Sequence, residues 1–82
     1  MTFKEAKAIM LDFAERHCGN TVVFGGLSDE DKLAFVLIDT FDYFKFLPPA
    51  ERIERTIRNA EIHRKNGFVA WNAMGKLEII EG

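Results

Sequence analysis

The sequence holds one cysteine and two prolines in 82 residues, and none of its apolar runs approaches the roughly 18 residues that cross a bilayer as a helix. The lone cysteine, Cys18, excludes an internal disulfide framework and a structural zinc site built on cysteines. Without a long apolar run there is no candidate membrane-spanning helix. The opening stretch TFKEAKAIMLDF breaks its apolar residues with Lys4, Glu5, Lys7 and Asp12, unlike a secretory signal, so a cytoplasmic setting without membrane association is expected. Basic charge is not in excess either: 11 Lys and Arg stand against 13 Asp and Glu, for a formal net charge of -2. Indiscriminate polyanion binding is therefore not expected, although a local basic face is compatible with that balance. Internal repeats, low-complexity linkers and composition shifts are also missing, which leaves residues 1–82 as a single domain.

What is present is a globular composition, 48% hydrophobic and 29% charged. A chain of this length buries only a little over ~60% of the surface its unfolded form exposes, so the core must be compact or shared with a partner. Thr2 and Glu5 have the spacing of a capping box, and Phe3, Ala6, Ile9, Met10, Phe13 and Ala14 recur at helical intervals, predicting a first helix that ends near His17. NTVVFGG is short, β-branched and closed by paired glycines, which predicts a strand. In the following stretch, Ser28 suits an N-cap and Asp29, Glu30 and Asp31 suit the positive end of a helix dipole. Helix is favoured over residues 29–47, either unbroken or divided at Asp39 and Thr40, with a buried strand at LAFVLI as the alternative. Pro48 and Pro49 end it and open a third helix over 49–66, which Asn66 and Gly67 close. The remainder, FVAWNAMGKLEIIEG, reads as a β-hairpin. The expected fold class is α+β, in the order α-β-α-α-β-β.

The third helix carries the clearest functional signal. On a helical wheel, Glu54 with Arg58 and Glu61 with Lys65 form supportive i,i+4 pairs on one flank. Arg52, Arg55, Thr56, Asn59 and His63 gather on the other flank, with no acid among them. Arginine reads guanine, asparagine reads adenine and threonine reaches a phosphate or a thymine methyl, so this flank has the chemistry of a major-groove helix. The competing reading is an ordinary exposed face in which Arg55 pairs with Glu51. Ile62 lies beside the basic sector and points to a protein contact.

The element order, together with ERIERTIRNAEIHRKNGFVAWNAMGKLEIIE, resembles the winged-helix form of helix-turn-helix proteins over nearly the whole chain. The resemblance implies a DNA-binding transcription regulator that binds double-stranded DNA without enzymatic chemistry. Arg52, Arg55, Thr56 and Asn59 would face the groove, and Asn72 and Lys76 would lie in the wing beside phosphates. The long phenylalanine-rich second helix, the two prolines before the third and the single basic residue of the wing depart from that pattern.

The second reading is a protein-interaction module, inhibitor or adaptor that uses no nucleic acid. If residues 29–47 form one helix, Phe35 and Phe46 share a sector with Lys32, Asp39 and Asp42, and the rings require cover from the domain itself, a homodimer partner or another protein. His17, Cys18 and His63 do not complete a zinc ligand set, and a helix-end histidine and a semi-buried cysteine are expected instead. SDED lacks the spacing of a calcium loop, and VVFGG lacks a nucleotide-binding fingerprint. No metal, cofactor or catalytic residue is expected.

Overall fold

The computed structural model describes residues 1–18 and 22–68. Its elements are three α-helices, α1 (Phe3–Arg16), α2 (Asp29–Tyr43) and α3 (Pro49–Lys65), with 3-10 turns at Phe24–Gly26 and Phe44–Phe46. Among the described residues there is no strand. Over these residues the α+β, winged-helix-like expectation is thereby overturned in favour of an all-helical arrangement.

The correction has a physical cause in the stretch read as the first strand. Asn20 and Thr21 lie outside the described residues; Val23 is extended, but among the described residues no segment pairs with it, and a single strand cannot satisfy its own backbone groups. The chain instead tightens into a turn in which the Gly26 N–H reaches the Val23 carbonyl at 3.0 Å, and Phe24 swings into the core. The expected hairpin lies, except for Phe68, outside the described residues.

Each helix begins, and α3 also ends, for a reason legible in its sequence, while α2 stops at Tyr43, four residues short of the expected 47. The Thr2 hydroxyl accepts from the Glu5 N–H at 3.2 Å and the Glu5 carboxylate accepts from the Thr2 N–H at 3.0 Å, the complete capping box. The Ser28 hydroxyl accepts from the Asp31 N–H, and α2 then runs unbroken through Asp39 and Thr40 before tightening at Phe44. Pro49 occupies the first turn of α3. At the other end of α3, the Phe68 N–H bonds the His63 carbonyl at 2.7 Å and the Gly67 N–H bonds the Arg64 carbonyl at 3.0 Å, the paired bonds of a Schellman cap. Gly67 and Phe68 both have positive φ, 65° and 60°. Glycine takes that conformation freely; for Phe68 it is strained, and the gain on the other side is burial of its ring.

That ring belongs to the core. Phe68 meets Phe24 edge to face at 6.1 Å, in a cluster with Ala6, Leu33, Val36, Leu37 and Ala60. α2 is the central element, packing on α1 on one side and α3 on the other, while α1 and α3 touch only slightly. Ala6 and Ala60 are fully buried, and their small side chains let the helices approach. Arg16 at the end of α1 forms a two-pronged ion pair with Asp31 at the start of α2, and the Met1 ammonium pairs with Glu61 of α3 at 2.9 Å.

Candidate functional site

The acid-free flank of α3 faces inward. Thr56 and Asn59 are each 2% exposed and His63 is fully buried. Asn59 Nδ2 donates to Thr40 Oγ1 of α2 at 3.0 Å, which commits one N–H of its amide to the neighbouring helix. This orientation is consistent with the missing acids, since a carboxylate at the centre of that flank would be desolvated against α2. Thr56, Asn59 and His63 are therefore closed to a duplex in this structure.

The two arginines of the same flank sit at its edges. Arg55 is exposed and pairs with Glu51 at 3.0 Å, the i,i+4 partner that the spacing allows. Arg52 is half-buried, its Nε donating to the Phe41 carbonyl at 2.7 Å while its guanidinium lies 3.7 Å from the centroid of the Phe41 ring. The carbonyl belongs to the last turn of α2, where helix geometry leaves acceptors without an intrahelical donor. Arg52 thus caps α2 from a neighbouring element. Asn72 and Lys76 lie outside the described residues.

On the outer flank, Glu54 and Arg58 pair at 3.2 Å as the spacing predicts. Glu61 pairs with the Met1 ammonium, not with Lys65 as its spacing led us to expect. Arg64 and Lys65 are exposed in the last turn of α3, where positive charge is favourable. Ile62 is half-buried.

The three phenylalanines at the end of α2 and the turn after it divide by environment. Phe41 carries Arg52, Phe44 is buried, and Phe46 stands 70% exposed beside a half-exposed Tyr43. Tyr43, Phe44 and Phe46 touch one another through tilted and edge-on contacts at 5.3 to 6.2 Å. A buried ring therefore anchors two exposed ones in a fixed corner. Phe35, which shared the predicted surface with Phe46, is instead half-buried against the core, with Phe13 at 6.3 Å and Phe24 at 5.6 Å. Tyr43 was missed in the sequence reading; the available signal was the density of aromatics in FDYFKFLPP, too many for one small core to enclose.

A second exposed apolar feature is a groove of about 380 Å³ between α1 and α2, floored by Met10, Leu11, Ala14, Ile38 and Phe41 and edged by Lys7, Asp42 and Arg52. Elsewhere, the Arg16 guanidinium beside Asp31 holds that carboxyl below the usual carboxylate range, while burial, and secondarily Asp42, pushes the Asp39 carboxyl up. His17 caps α1, lies 4.5 Å from the Phe13 ring and approaches Asp31 at 3.4 Å. Cys18 is exposed, not semi-buried as its sequence position led us to expect. Among the described residues no three His, Cys, Asp or Glu side chains converge as metal ligands, and no helix is long and apolar enough to cross a membrane.

Comparison with protein-family models, with curated proteins and with solved structures yields no match.

Proposed function

We propose that this protein acts by binding another protein molecule through the aromatic corner at the end of α2, in the manner of a small inhibitor or adaptor. The observation that carries this reading is the exposure of Phe46 and Tyr43 on a buried Phe44. Aromatic side chains contribute much of the binding energy of protein interfaces. Rings already held by a neighbour lose little further freedom on binding, so more of their burial energy appears as affinity. The reading uses contact alone and needs no catalytic group.

The DNA-reading alternative draws less support, because only Arg52 and Arg55 of its five α3 residues remain outside the core and both already have partners within the chain. The test places a photo-crosslinking phenylalanine analogue at position 46 in the producing cell. A discrete adduct, either twice the mass of the chain or containing a second protein, is expected, and Tyr43→Asp should weaken it. Absence of any adduct, together with a salt-sensitive shift of random duplex DNA that Arg55→Glu abolishes, would replace this reading with the DNA one.

A further inference from the structure

The groove between α1 and α2 is a separate surface from the aromatic corner. Its floor is apolar, with Leu11 58% exposed and Met10, Ile38 and Phe41 half-buried around it. Lys7 to Ala14 spans eight residues of α1, a rise of about 10 Å, which matches two turns of an opposing helix. The edge is asymmetric in charge, since Lys7 and Arg52 face it with Asp42 as the sole acid of its lining.

Arg52 gives the groove its chemistry. Its Nε is committed to the Phe41 carbonyl and its plane is held against the Phe41 ring, so the guanidinium is fixed before any ligand arrives. Its two terminal amino groups make no hydrogen bond or ion pair among the described residues. An oriented guanidinium presenting a free edge is suited to a carboxylate, which it can bind through two parallel hydrogen bonds. Phosphate alone would satisfy the arginine but gain nothing from Met10, Leu11 and Ile38. An apolar floor with a cationic edge complements a ligand having both characters.

We propose that this groove binds a short acidic amphipathic helix of a partner protein, its apolar side chains over Leu11 and Ile38 and a carboxylate on Arg52, with Lys7 adding attraction. Helix-in-groove recognition reads apolar anchors at i, i+3 or i+4, and i+7, which the groove's length accommodates. The charge of the edge selects the acidic helix over a basic one of the same apolar pattern.

The test uses a labelled peptide of about three helical turns, with leucines at those anchor positions and glutamates between, and a twin in which lysines replace the glutamates. Fluorescence anisotropy should show the glutamate peptide binding at least about tenfold more tightly than its twin. Its amide shift changes should centre on Met10, Leu11, Ile38 and Phe41. Because Arg52 also caps α2, the decision rests on Lys7→Glu and Leu11→Glu, both at exposed positions, which should each weaken the glutamate peptide about tenfold or more without changing the melting temperature. Equal binding of the twins, no binding by either, or shift changes at Tyr43 and Phe46 would overturn the proposal. So would concentration-dependent self-association that Leu11→Glu abolishes, which would place a second copy in the groove, or complete displacement of the peptide by millimolar inorganic phosphate. Success or failure here leaves the position-46 adduct unaffected, so the two surfaces are judged independently.

Discussion

Asn59 of α3 and Thr40 of α2 meet across the helix pair, the amide donating to the hydroxyl at 3.0 Å with both side chains shielded from water. A polar pair in a core this small specifies how two helices align, since sliding either one would leave a buried group without its partner. The same surface of α3 also carries a contrasting case. The Thr56 hydroxyl is buried with no hydrogen-bond partner among the described residues.

These two sites should respond in opposite directions. Asn59→Leu or Thr40→Val should each cost about 1–3 kcal/mol by orphaning the other group, and the double variant should cost less than the sum. Thr56→Val should stabilise by about 1 kcal/mol, because it removes a buried hydroxyl of nearly the same shape. Urea denaturation monitored by circular dichroism measures all four. Strict additivity of Asn59→Leu and Thr40→Val would show that the pair is not coupled.

Gly67 permits a clean test of backbone conformation. Among the described residues a Cβ added there would meet nothing within 4 Å, so Gly67→Ala introduces no clash with them, only a side chain at φ 65°. The expected cost is about 1–2 kcal/mol, from the left-handed conformation itself. An alanine variant as stable as the wild type would mean that the cap does not hold α3 closed in solution.

The dependence of stability on pH should reflect two aspartates with opposite shifts. Asp31 has its pKa depressed, first by the Arg16 hydrogen bonds, so it contributes stability present above the unfolded carboxylate value of about 3.9 and lost as pH falls through its folded value. Asp39 has its pKa raised, first by burial, so its ionisation is a cost above its folded value that is relieved as pH falls through it. Stability should therefore gain from Asp39 on going from neutral to mildly acidic solution and lose from Asp31 below about pH 4. Asp39→Asn should remove the first limb, and Asp31→Asn should lower neutral stability while flattening the second. Melting curves collected across that range check both, and parallel profiles for wild type and Asp39→Asn would contradict the assignment.

Where local chemistry decides structure, the reading from sequence was accurate. Thr2 and Glu5, Ser28 and Asp31, Pro49, and Asn66 and Gly67 act within one turn of the chain, and the helix ends stand where those residues place them to within a residue or two. The described part of NTVVFGG, from Val22 on, did not form the expected strand for the complementary reason: a strand exists only if a second segment pairs with it, and β-branched residues do not disclose whether one does. The wheel of α3 correctly separated two flanks but could not say which flank met α2. Arginine, threonine, asparagine and histidine suit a DNA groove and a polar helix contact equally well, and the distinction rests on Thr40, nineteen residues from Asn59.

Three helices, their caps and the Glu54–Arg58 pair of α3 were legible in the sequence, because those depend on residues within four positions of one another, whereas Glu61 takes the distant Met1 ammonium in place of Lys65. Tertiary structure decided the rest. Packing on α2 buried Thr56, Asn59 and His63, held Arg52 against Phe41 as the edge of a groove, and left Phe46 outside while drawing Phe35 in. Burial is a property of the neighbour as much as of the residue, and the neighbours here are brought together only when the chain folds.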